Sequence, residues 1–192
     1  MKKTILLILI SFTFYHGNSQ ITKDNWLVGG NGSFLFNNSN TGTNDAKTTT
    51  INIAPNIGYF FIDKFAGGLR LSFYNNHIKF IGTTNNNFTT FSNYNIGPFV
   101  RYYFLPVDNP YNILTEISYQ FGNEKIETTN STGNTSTNII SFSAGPVIYF
   151  NSSVGIEFLL NYSSTGTTGN KGRANSIGLS IGLQIHLEKD KN

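Results

Sequence analysis

The chain has 192 residues, of which 39% are hydrophobic, 15% aromatic and only 12% charged, with 19 glycines, no cysteine and a formal net charge of +3. Absence of cysteine excludes disulfides and thiolate metal sites together, and abundant aromatics with little charge are the opposite of a disordered composition. Two of the 13 Lys and Arg lie in residues 1–19, leaving 11 positive against 10 negative charges, a balance that gives no reason to expect nucleic acid.

Met1-Lys2-Lys3 is a short positive start, and Thr4 to Tyr15 is an apolar run of signal-peptide length. Gly17 and Ser19 put small residues at −3 and −1 of a cleavage site before Gln20. Residues 1–19 are thus expected to be a cleaved signal peptide. The alternative, an uncleaved anchor, meets the objection that a spanning helix needs roughly 20 apolar residues. No cysteine follows the run, so a lipoprotein anchor is excluded.

Period-two alternation, the mark of a half-buried strand, then recurs along the chain. Trp26 to Phe36 alternates, followed by a polar stretch 37–47 read as a loop. The second strand, about Thr49 to Phe61, sets Ile51, Ile53, Pro55, Ile57 and Tyr59 on one face, and a tight turn leads into Phe65 to Tyr74. The Asn- and Thr-rich stretch 75–90 reads as a second loop, followed by a strand over Phe91 to Phe104 and another over Tyr111 to Phe121. Polar 122–137 is a third loop, and strands follow at Asn138 to Phe150 and Val154 to Tyr162. A fourth loop, 163–173, precedes the cleanest alternation, in which Ile177, Leu179, Ile181, Leu183, Ile185 and Leu187 oppose Ser, Gly, Gln and His.

Three of these strands share a motif of a small residue, a proline, an alternating run and aromatics: Ala54-Pro55 to Phe61, Gly97-Pro98 to Phe104 and Gly145-Pro146 to Phe150. Spaced self-similarity marks a structure built from repeated units. Strands of about ten residues suit a tilted bilayer crossing, and the regular long–short alternation of connections is that of transmembrane barrels. The predicted fold is all-β: an eight-stranded antiparallel up-and-down transmembrane β-barrel over residues 20–187, with short periplasmic turns, four long extracellular loops and a polar extension 188–192. Charge placement supports this. With strand parity set from the aliphatics alone, Arg70, Arg101, Glu116 and Glu157 all land on the polar face; an arginine turned to lipid at midplane would cost about 2–4 kcal/mol. A soluble lipocalin-like barrel or β-sandwich also alternates, but its second face is well charged. The three prolines lack the N–H that a ladder needs, so each is expected to mark a bulge or irregular pairing.

The whole pattern resembles the small outer-membrane β-barrel family common in Bacteroidota, related in architecture to OmpA-, OmpX- and OmpW-like proteins. Pro55 to Phe60 followed by Asp63 to Leu71, Ile96 to Tyr103, and Ala144-Gly145-Pro146 carry the resemblance, with the Ser19-Gln20 start. It implies outer-membrane localisation, insertion by the outer-membrane assembly machinery and a monomer, but no particular activity. One departure is that the last strand ends on Leu187 rather than an aromatic residue, and Glu188 to Asn192 extends beyond it.

Arg70, Arg101, Glu116 and Glu157 are candidates for a cross-lumen ion-pair network, since eight strands leave interior space mainly for side chains and buried charges need partners. The competing reading is a selective pore lined by the same residues. Tyr59, Phe61, Tyr102, Phe104 and Phe150 are candidates for an aromatic girdle. An enzyme needs a nucleophile and a base; His77 with Ser92 near the outer surface is one conceivable pair, but the spacing has no specificity, and an exposed loop histidine is the plain reading. His186 reads as an interfacial polar residue at the periplasmic end. No metal-ligand spacing occurs, and Gly29 to Gly32 lacks the helix and Lys-Ser/Thr of a phosphate loop. No cofactor is expected. The expected function is non-enzymatic: an outer-membrane barrel that stabilises the envelope or presents loops to an extracellular ligand. The alternatives are a narrow, OmpW-like path for small or apolar solutes and, further off, a lipid-modifying enzyme.

Overall fold

A computed structural model describes residues 21–40, 44–82, 86–169 and 172–188. Residues 1–19, the expected signal peptide, lie outside the described residues, as do 189–192 of the polar extension. Eight strands, β1 (Trp26–Asn40), β2 (Asn44–Ile62), β3 (Phe65–Gly82), β4 (Asn86–Tyr103), β5 (Tyr111–Thr128), β6 (Thr132–Tyr149), β7 (Val154–Thr167) and β8 (Arg173–Leu187), pair antiparallel in sequence order. The sheet closes between β1 and β8. Closure removes the free edges that an open spanning sheet would leave in hydrocarbon.

The alternating pattern sets the faces as expected. Ile51, Leu69, Ile96, Ile117, Leu160 and Ile181 face outward and are exposed, whereas Asn56, Arg70, Arg101, Glu116, Glu157 and Gln184 face inward and are buried. Outward apolar residues form one continuous band. It runs from Trp26 to Phe36 on β1, Ile51 to Phe61 on β2, Tyr111 to Phe121 on β5 and Ile177 to Leu187 on β8. A second aromatic row, Tyr94, Tyr119, Phe121 and Tyr162, marks its upper border.

The strands are longer than expected, from 14 to 19 residues. The segments read as four long loops are largely strand: 37–40 pair with 45–48, 75–81 with 86–92, 122–127 with 132–137, and 163–166 with 173–176. The loops are therefore arms of hairpins rising above the apolar band, and the β5–β6 connection is only residues 129–131. Thr and Asn in paired strands satisfy their backbone groups as well as Val or Ile would, but wet on both faces they write no hydrophobic alternation.

The prolines produce irregular pairing without a bulge. β2 and β3 pair up to Ile53↔Phe73 and resume at Asn56↔Arg70, leaving Ala54-Pro55 out of the ladder while the register is unchanged. Gly97-Pro98 is skipped in the same way between β4 and β5, and Gly145-Pro146 between β6 and β7. The residue before two of these prolines has to be glycine. A Cβ on Gly97 would lie 1.9 Å from the Tyr119 carbonyl oxygen, and one on Gly145 equally close to that of Phe158.

Candidate functional site in the barrel lumen

Inward residues stack in tiers. At the short-turn end Ile21, Leu27, Phe60, Ala66, Tyr103, Leu114 and Val147 form an apolar floor with no measurable exposure. Ile21 reaches it from the segment before β1, which is tied down by backbone bonds: Lys64 N–H donates to the Ile21 carbonyl (2.8 Å), Asp24 N–H to that of Phe60 (2.9 Å) and Phe60 N–H to that of Asn25 (2.9 Å). Lys23 N–H adds a 2.8 Å bond to the Asp63 carboxylate. His186 is not interfacial as the sequence suggested. It is buried in this floor, with its ring 5.5 Å from Phe60, 6.1 Å from Tyr103 and 5.7 Å from Tyr149.

Directly above lies an ionic tier. Arg101 Nε donates to Glu116 Oε2 (2.9 Å), with Nη2 2.7 Å from the same oxygen, and Arg101 Nη1 donates to Glu157 Oε1 (2.6 Å) and the Tyr103 hydroxyl (3.2 Å). Arg70 Nη1 is 2.6 Å from Glu116 Oε1. Glu116 thus bridges two guanidinium groups, and Arg101 bridges two carboxylates. Gln184 donates to the remaining oxygen of Glu157 at 3.3 Å. The Phe99 ring lies between the two arginines, 5.7 Å from Arg70 and 5.9 Å from Arg101. The structure therefore brings all four strand charges together into one chain reaching from β3 through β5 and β4 to β7. Two charges of each sign leave the tier neutral.

Above this, the lumen is lined mainly by neutral polar groups, with one carboxylate, Glu124, which accepts from Asn93 at 2.8 Å. Thr137 bonds Asn95 (2.8 Å), Ser143 bonds Asn161 (2.7 Å), and Asn161 donates to Ser180 (2.9 Å).

On the outer surface Tyr59, Phe61, Tyr102, Phe104 and Phe150 all lie at the short-turn border of the apolar band. Trp26, Tyr59 and Phe61 meet edge to face at 5.3 and 5.5 Å, as do Tyr102 and Phe104 at 5.1 Å. The Tyr59 hydroxyl donates to Asp24 at 2.6 Å, so its polar tip points away from the band. The histidine–serine pair is not assembled. His77 lies on β3, not in a loop, with its ring against Phe88 and 2.8 Å from the Thr90 hydroxyl, whereas Ser92 takes its bond from Asn75. Among the described residues no cluster of three or more His, Cys, Asp or Glu is placed to hold a metal.

No family model matches the sequence, and no curated protein matches it. Solved structures do. The Neisserial surface protein A structure superposes with a TM-score of 0.52 at 18% identity, covering 88% of this chain and 98% of that one. The β-barrel domain of OprF from Pseudomonas aeruginosa aligns at 0.47 and 12% identity over 86% and 98%, and the outer membrane protein OprG from the same organism at 0.45 and 11% over 92% and 100%. The fold is that of the small outer-membrane β-barrels.

Proposed function

We propose that the protein is an outer-membrane β-barrel, non-enzymatic and closed to ions, that holds a polar crown of β-hairpins outside the cell. The observation that carries this reading is the neutral Arg70–Glu116–Arg101–Glu157 chain seated on an apolar floor. Eight strands enclose a space that side chains fill, and here they fill it in two unlike layers. An ion would have to cross both.

The girdle residues Tyr59, Phe61, Tyr102, Phe104 and Phe150 anchor the barrel at the inner interface of the outer membrane, ring in the band and polar tip toward water. The chain enters that membrane through the assembly machinery after signal cleavage and stays a monomer. Above the band, paired arms rich in Asn, Thr, Ser and Gly present a rigid polar surface with scattered charges of both signs, a suitable base for adhesion or another extracellular ligand.

The test combines two measurements. An epitope inserted in the β5–β6 turn (129–131) is expected to be labelled on intact cells, and the purified protein in planar bilayers to show no steady current. Labelling only after permeabilisation, or stepwise ion conductance, would overturn the reading.

A further inference from the structure

The wall is not equally closed all round. β1 and β8 pair only from Trp26↔Leu187 to Gly32↔Ile181. Both strands continue beyond that point, β1 paired to β2 as far as Asn40 and β8 paired to β7 from Arg173. Continuing the same register would set Phe34 opposite Leu179 and Phe36 opposite Ile177, but no such pairs form. Exposure agrees: Ile177 and Leu179 are 75% and 78% exposed and Phe34 68%, above the other outward apolar residues. A Cβ on Gly178 would meet nothing within 4 Å.

This gap lies inside the apolar band, because Phe34, Phe36, Ile177 and Leu179 all belong to its upper part. Four residues along a strand make a slot ~13 Å long. Unpaired N–H and C=O groups do not persist facing hydrocarbon and are tolerated only where they line a wet cavity. Here the cavity is the polar upper lumen, whose carboxylate, Glu124, is bonded by Asn93: Ser33 and Ser180 face it from the two slot walls, and Asn161, bonded to the Ser180 hydroxyl, lies behind them. The slot is thus apolar on its lipid side, and on its lumen side its two walls carry the hydroxyls of Ser33 and Ser180 beside the exposed Leu35, with no charge on either wall. Its base is the ionic tier.

We infer that the β1–β8 slot is a lateral binding site, open to the outer leaflet, for a single-chain amphiphile with an uncharged hydroxyl- or amide-bearing head. The alkyl chain lies between Phe34 and Phe36 on one side and Ile177 and Leu179 on the other, and the head enters the polar vestibule. The site rests on the sealed-lumen reading: with the floor closed, the amphiphile is held or exchanged between leaflet and exterior rather than passed through. An anionic head fits less well, since Glu124 stands in the vestibule and the arginines in the tier below are already matched to carboxylates.

The experiment uses the full chain in phosphatidylcholine nanodiscs with a monoacylglycerol carrying a photoreactive diazirine in its acyl chain. Label is expected to concentrate at least 10-fold on Ser33–Phe36 and Ile177–Ser180 over outward Ile117, and to drop for the same chain on a phosphate head. Because the chain has no cysteine, Ser33→Cys with Ser180→Cys introduces the only thiol pair. Oxidation is expected to abolish slot labelling and reduction to restore it. Even labelling round the band, labelling unaffected by an intramolecular disulfide, or a disulfide joining two copies would each overturn the site. Should the disulfide fail to form, the labelling map alone decides. A silent planar bilayer with even labelling sinks only this site; a conducting bilayer sinks the sealed lumen and is read separately.

Discussion

Arg101→Met is the sharpest test of the ionic tier. Arg101 is buried and makes contacts of 2.9, 2.7 and 2.6 Å to two carboxylates. Methionine roughly keeps its length and removes its charge. Glu116 retains Arg70 at 2.6 Å, but Glu157 keeps only the 3.3 Å bond from Gln184. Stranding one member of a buried pair costs about 3–5 kcal/mol, whereas removing both members together is often nearly neutral. Arg101→Met is therefore expected to lower unfolding free energy by ~3–5 kcal/mol, and Arg101→Met with Glu157→Gln, which restores neutrality, to recover more than half of that. The assay is urea unfolding in lipid vesicles, followed by fluorescence of Trp26, the single tryptophan, with gel mobility before and after boiling as a check on the barrel. An unchanged midpoint in the single variant, or a double variant less stable than the single, would refute the account of a charge-balanced plug.

Outward Ile117→Arg should cost about 2–4 kcal/mol in vesicles, whereas a soluble barrel would tolerate it within ~0.5 kcal/mol; the same urea titration separates the two. Gly97→Ala puts a methyl 1.9 Å from the Tyr119 carbonyl oxygen, so the variant is expected to lose its heat-shifted mobility, while Gly178→Ala, with open space around it, keeps it. Ile21→Ala removes the buried side chain that the N-terminal segment places in the floor; a loss of about 2–5 kcal/mol is expected, together with faster trypsin cleavage after Lys64, and unchanged cleavage would show that the segment does not hold the turn.

The faces of the barrel were legible because one period runs through every strand and because so few charges exist. When only four fall inside the strand cores, their shared parity carries weight, and Arg70, Arg101, Glu116 and Glu157 were found that way. What parity cannot give is who bonds whom. That Glu116 sits between two arginines depends on register, and a one-residue slip would reverse every face without changing composition. The hairpin arms were misread for a physical reason: outside the apolar band neither face is buried, so Asn37 to Asn40 or Asn86 to Thr90 show the same composition whether paired or not. Ile21 was hidden by standing next to the expected cleavage site. His186 was misread because an end-of-strand position suggested an interface, whereas its even-numbered parity on β8, shared with Gly182 and Gln184, already pointed inward.

The prolines and the ionic tier belong to one design. Each proline removes a ladder donor, and the skipped residues fall in the β2–β3, β4–β5 and β6–β7 ladders immediately beside the charged level: pairing resumes at Asn56↔Arg70, at Phe99↔Ser118 and at Val147↔Glu157. At that height the wall has lost hydrogen bonds that hydrocarbon cannot replace. Inside the lumen, at the same height, Arg101 clamps β4 to β5 through Glu116 and ties β4 to β7 through Glu157, while Arg70 ties β3 to β5. Four of the six strands that adjoin the broken ladders, β3, β4, β5 and β7, are thus cross-braced from within, and the β4–β5 break is spanned directly. A pore lined by the same four residues would have to give up that bracing to open, and would do so where the wall is least able to stand without it. The wall's own weak points argue that the plug is structural.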